Sequence, residues 1–289
     1  MIRTVKDMAD AVDAGRVHTQ RFFKNAGTTG DRQWHDWSYA SGQPAYDARV
    51  GSPATFTPFV AQGNDAIYFP PAPGTDRRLL SCDVVRTAGA VNQIAAEFQV
   101  YDLIGVYPLI DGDSTDEQVM DNTAAFPRFA SGEGVRAVLV NHIAPGLAAA
   151  DALVEYVNTQ GATKSVTWRA TASGQNKVCY TVSGSGTTGP LFCNLAAGDT
   201  GISRINAVTF TTSPGGLWAI YIVKPVAYFS ARDGLPGLWV SATCETNFAL
   251  ERGWSLPKIE DGAWLGLFFM PEGNTRTIAL HGNMTFIWG

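Results

Sequence analysis

Two stretches 130 residues apart follow one pattern, and that pattern restricts the chain more than any other feature. Residues 127–140 read PRFASGEGVRAVLV and residues 257–270 read PKIEDGAWLGLFFM. Pro127 falls on Pro257, Gly132 on Gly262, and Val135, Ala137 and Leu139 on Leu265, Leu267 and Phe269. Each copy is a proline-led turn, a polar glycine corner and a run with an apolar residue at every second position, the period of a strand with one buried face. Upstream, residues 106–114 (VYPLIDGDS) parallel residues 227–236 (AYFSARDGLP), with Tyr107 on Tyr228 and Asp111 on Asp233, the aspartates at an offset of 122. Residues 77–84 (RRLLSCDV) more weakly parallel 203–210 (SRINAVTF).

The expectation is therefore a mainly β chain of two tandem, internally duplicated antiparallel β-sandwich or jelly-roll-like domains, over residues 51–160 and 161–289. Residues 1–50 would precede them as a short helix and an extended arm. A length of 289 residues accommodates two such domains, and 30 Gly and 15 Pro supply their turns.

The net charge of −5 is spread unevenly, with +1 over residues 1–50, −8 over 51–160 and +2 over 161–289. No long basic run offsets it, which argues against a nucleic-acid partner. The longest apolar runs are of strand length, short of the roughly 20 residues of a membrane helix, and residues 2–15 lack the apolar segment of a secretion signal. The expected setting is a cytoplasm. Cys82, Cys179, Cys193 and Cys244 form no CxxC pair, so buried free thiols are expected.

Apolar residues Ile2, Val5, Met8, Ala9 and Val12 recur at helical spacing, with Thr4 as N-cap, Asp7 three residues later and Gly15 as a stop. Residues 18–25, carrying Phe22 and Phe23, read as a further helical turn. Residues 33–53 crowd Trp34, Trp37, Tyr39 and Tyr46 among turn formers without a period. Left in water, such a segment exposes several large apolar side chains, which a monomer seldom does outside an interface. Val5, Met8, Val12, Phe22, Phe23, Trp34, Trp37, Tyr39 and Tyr46 are thus the candidate partner contacts, against the alternative of an arm folded back on its own domain. Residues 148–157 also read as helix.

Chemistry is sparsely signalled. Residues 184–189 (GSGTTG) satisfy GxGxxG, but Pro190 and a strand follow where a phosphate-binding helix is needed. The acidic run at 111–121 offers Asp111, Asp113, Asp116 and Glu117 as weak oxygen ligands for a divalent cation, yet it departs from the EF-hand order, and a solvated loop is the better account. No GxSxG or HExxH is present, and a glycosidase pair among Asp233, Glu260 and Asp261 would rest on acidic turns alone. A non-enzymatic protein without cofactor is expected. Eight Trp, nine Tyr and fifteen Phe raise carbohydrate binding, although aromatic residues in β domains are mostly core.

Residues 7–25, the arm around QWHDW and SGQPAYDARVG, residues 101–114 and residues 257–270 together resemble virion structural proteins of tailed bacteriophages. That resemblance implies a particle component assembled in the bacterial host's cytoplasm. It would be homo-oligomeric and contact other virion proteins as a capsid decoration or cement protein, or else as a neck or tail component. A carbohydrate-binding module for host-surface recognition is the alternative of another class.

Overall fold

The computed structural model describes residues 2, 4–26, 33–37, 41–44, 51–62, 66–67, 76–88, 95–143, 149–170, 178–180, 191–232, 242–247, 256–272 and 278–289. Among the described residues, one helix, α1 (Val5–Asp13), is followed by β1 (Val17–Ala26), β2 (Trp34–Asp36), β3 (Ser41–Gln43), β4 (Thr57–Pro58), β5 (Arg77–Ala88) and β6 (Ala95–Asp111). Next come β7 (Gln118–Val119), β8 (Arg136–Asn141), β9 (Ala150–Asn158), β10 (Thr163–Ala170) and β11 (Val178–Tyr180). The chain finishes with β12 (Ile202–Phe210), β13 (Leu217–Arg232), β14 (Ala242–Asn247), β15 (Leu265–Glu272) and β16 (Ile278–Trp288).

Among the described residues the strands make three antiparallel sheets. The middle one runs β13-β8-β11-β2-β15-β6-β4, and a further pairing of β13 with β6 brings six of its strands round into a ring. Its inward residues, among them Trp34, Tyr101, Leu103, Val138, Tyr221, Trp264 and Phe268, form one core. Alternate residues point outward, as the two-residue strand period requires. Phe98, Val100, Leu267 and Phe269 pack on Leu79, Val84, Leu280 and Met284 of the five-stranded sheet β14-β5-β16-β1-β3. Ile104, Leu139, Ile220 and Ile222 pack on Val154, Tyr156, Ile205 and Phe210 of the four-stranded sheet β10-β9-β12-β7. The fold is mainly β and sandwich-like in its layering, as the sequence leads one to expect.

Register keeps only the difference of eight between the two offsets read from the sequence, which does not by itself establish a duplication. Tyr101 of β6 pairs with Gly266 of β15 and Arg136 of β8 with Val223 of β13, so paired residue numbers total 367 in one ladder and 359 in the other. Facing is kept too, since Val135, Ala137 and Leu139 point to one outer sheet and Leu265, Leu267 and Phe269 to the other. Gly132 and Gly262 take φ of 77° and 71°, a left-handed corner that a side chain would strain. Tyr107 and Tyr228 are not equivalent, because Tyr107 is fully buried and Tyr228 is exposed.

This correspondence does not extend to two tandem domains. The five-stranded sheet takes β1 and β3 from residues 1–50, β5 from 51–160 and β14 and β16 from 161–289, and the middle sheet likewise draws on all three spans. Two helical expectations are corrected. Residues 18–25 belong to β1, which inserts between β16 and β3 and buries Phe22 and Lys24 on one side. Residues 148–157 lie mostly in β9, whose Ala150, Ala152, Val154 and Tyr156 line one face. Alanine content suggested helix there, and pairing on both edges with β10 and β12 overrides that propensity.

Candidate interaction surface

Helix α1 begins with the capping box that its sequence encodes. Asp7 N–H donates to Thr4 Oγ1 at 3.1 Å and Thr4 N–H donates to Asp7 Oδ2 at 2.9 Å, satisfying two otherwise orphaned donors. Lys6 Nζ bridges to Asp10 at 2.6 Å on the polar side. Ala11 is buried and Met8 packs on the core beneath, so one edge of the apolar arc is used. The other edge is not. Val5 and Val12 are 55% and 52% exposed, and Ala9 between them is exposed as well. Spaced i, i+4, i+7, the three form an outward apolar stripe.

The aromatic candidates divide. Phe22 is buried under the five-stranded sheet, Trp34 is 7% exposed inside the ring, and Trp37 is 2% exposed with its ring edge-on to Phe269 at 4.7 Å. These three serve the chain's own core and are unavailable as partner anchors, which corrects the expectation of an extended arm. The reason is strand pairing: β2 joins β15 to β11 and so carries Trp34 inside. Phe23, on the opposite face of β1 from Phe22, is 38% exposed. Tyr39 and Tyr46 lie outside the described residues, as do residues 184–189.

The acidic loop is held by its own backbone. Asp111 Oδ1 accepts the Asp113 N–H at 2.9 Å, Ser114 Oγ accepts the Asp116 N–H at 3.1 Å, and Gln118 clamps Asp111 through its N–H and carbonyl at 2.8 Å each. Among the described residues no three His, Cys, Asp or Glu side chains converge as a metal site, so Asp111, Asp113, Asp116 and Glu117 are not brought together as ligands. Among the same residues no helix is long and apolar enough to cross a membrane.

Two buried polar knots, neither legible in the sequence, fix the layers. On the outer side of β6, Arg128 donates to Asp102 through Nε at 3.0 Å and Nη2 at 2.6 Å, and to the carbonyls of Phe59 and Leu103 at 2.9 and 2.8 Å. Trp264 N–H adds a bond to Asp102 Oδ1 at 2.9 Å. Burial pushes the Asp102 carboxyl up, while Arg128 and the Trp264 N–H pull it back. Beside it, Lys224 donates to the Glu133 carbonyl at 2.6 Å over the Phe129 ring, and burial lowers its ammonium pKa. On the four-stranded sheet, Tyr156 Oη donates to Asp199 at 2.5 Å and accepts the Ala196 N–H at 2.8 Å, and Asn158 Nδ2 donates to Asp199 at 2.8 Å. Burial first, and the Asp199 bond second, push the Tyr156 hydroxyl up to about 12, and the same bonds hold Asp199 low.

No family model matches the chain, and no curated protein matches it. Among solved structures it is similar to the VP2 subviral particle of infectious bursal disease virus, at 12% identity over 94% of this chain and 80% of that one, with a TM-score of 0.21. The Gt strain of the same virus gives 9% identity over 94% and 80%, with a TM-score of 0.20. Scores this low carry no argument about fold or function. The resemblance to tailed-bacteriophage virion proteins is corrected by these results: no such family matches, and the weak structural neighbours named here come from an animal virus.

Proposed function

We propose that this chain is a non-enzymatic structural protein of a virus particle, working through contacts with other shell subunits and with copies of itself. The observation that carries the reading is the outward stripe of α1. A capped helix with one apolar edge already used keeps a second edge of Val5, Ala9 and Val12 in water, and burying it against a neighbouring subunit recovers that area. Layered β-sandwich and jelly-roll folds are used by viral capsid and lectin domains alike, so the fold alone does not choose between them.

The test is the double substitution Val5→Glu with Val12→Lys, each charge matching the helix dipole at its end. Light scattering and electron microscopy of particles should show assembly for the native chain and its loss for the variant. The melting temperature should hold, since exposed positions change stability by only about 0.5 kcal/mol. Assembly at unchanged affinity in the variant would remove α1 as the contact.

A further inference from the structure

The outer face of the five-stranded sheet bears a cleft of about 330 Å³, lined by Arg21, Phe23, Gln43, Asp83, His281 and Asn283. Strand register sets these side chains in two rows. One crosses β5, β16, β1 and β3 as Val85, His281, Phe23 and Gln43. The other, two residues along the strands, crosses β5, β16 and β1 as Asp83, Asn283 and Arg21. Neighbours within a row stand about 5 Å apart and the rows about 7 Å apart, by the spacing of any sheet. The first row has two rings at its centre, Phe23 and His281, 4.6 Å apart and tilted by 46°, between Val85 at one end and the amide of Gln43 at the other. The second presents a carboxylate, an amide and a guanidinium side by side. The floor is Gly282 and Phe22, where the missing side chain of Gly282 leaves room for the Phe22 ring beneath.

We propose that this cleft binds a neutral saccharide ring, its C–H face on Phe23 and its hydroxyls toward Asp83, Asn283 and Arg21. Ligand chemistry is narrowed by what each row would reject. Asp83 and Arg21 stand at opposite ends of their row, about 10 Å apart with Asn283 between them, so the two charges offset one another and the cleft has no net charge that would select an anion or a cation. A wholly apolar ligand would cover three polar side chains and offer them no partner. A hexose combines one apolar face with several hydroxyls that both donate and accept, matching an aromatic row next to a polar one. The cleft is also at the lower end of small-molecule sites, about 300 Å³, which suits one or two rings. The site is separate from the outward stripe of α1 and does not depend on the subunit contact proposed there.

Saturation-transfer NMR of the full chain with glucose, galactose, mannose and N-acetylglucosamine, each titrated to ~10 mM, tests this, because a single-ring site should have a Kd on the order of 1 mM. At least one sugar should saturate, and Phe23→Ala and Asn283→Ala should each weaken it about tenfold or more. Phe23→Leu keeps apolar bulk without the aromatic face, so weakened binding in a variant that melts like the native chain assigns the loss to stacking rather than folding. Absence of saturable binding by all four sugars overturns the proposal. So does binding that survives Phe23→Leu and Asn283→Ala unchanged.

Discussion

Replacing Arg128 with methionine should be among the most damaging single changes available to this chain, and its cost should depend on pH. The methionine fills much of the volume but removes all four donated bonds, two to Asp102 and one each to the carbonyls of Phe59 and Leu103. Asp102 is 2% exposed and would keep only the Trp264 N–H among its described partners. Stranding one member of a buried ion pair costs about 3–5 kcal/mol, a large share of the total stability of a typical domain. Relief comes by protonation. Burial already pushes Asp102 up, and without Arg128 it rises further, so the folded variant binds a proton that the unfolded chain does not. Stability then falls as pH rises wherever the folded state holds the extra proton, and the variant's deficit against the native chain should be smaller at about pH 5 than at about pH 8. Urea melts at both pH values measure this, and Asp102→Asn with Arg128→Met should recover part of the loss. A deficit below about 1 kcal/mol at both pH values would refute the reasoning, since it is what a solvated pair contributes.

Gly282→Ala should cost about 1–3 kcal/mol in thermal melts, because its Cβ would overlap the Asp83 carbonyl and the Phe22 ring, and overpacking against backbone cannot relax. Tyr156→Phe should cost about 1 kcal/mol by removing the bond to Asp199 and the one from the Ala196 N–H. The same change should raise the Asp199 pKa in an NMR titration, since the Tyr156 bond is the chief cause of its lowering. A lowered carboxylate stabilises the fold above its unfolded pKa and loses that contribution as pH falls, so the variant should lose less stability on acidification than the native chain.

The strands were largely legible because alternation depends only on which side chains can leave water together. The apolar-alternating ends of the two parallel stretches, read as strands, are β8 and β15. The Thr4 and Asp7 cap is likewise local, being closed within four residues. Errors arose where propensity and partner disagree: Ala150–Asn158 carries alanines that favour helix, yet it is enclosed by β10 and β12. The length of β6, Ala95–Asp111, is likewise set by its partner, since its register shifts are absorbed as bulges against β13.

Legible along the chain are the period of each element, the helix cap and the difference of eight residues between the two offsets, which the ladders keep. These are properties of residues near in the chain or of patterns compared along it. Only the tertiary structure decided where the aromatic segment goes. Trp34 and Trp37 look the same in sequence whether they reach a neighbour or their own core, and it is the pairing of β2 with β15 and β11 that carries Trp34 inside. The Asp102 and Arg128 pair, 26 residues apart, and the rows of Arg21, Phe23, Asp83, His281 and Asn283, drawn from three strands, were equally invisible beforehand. Such groupings depend on which distant strands become neighbours, and that is settled by how three sheets share their buried faces.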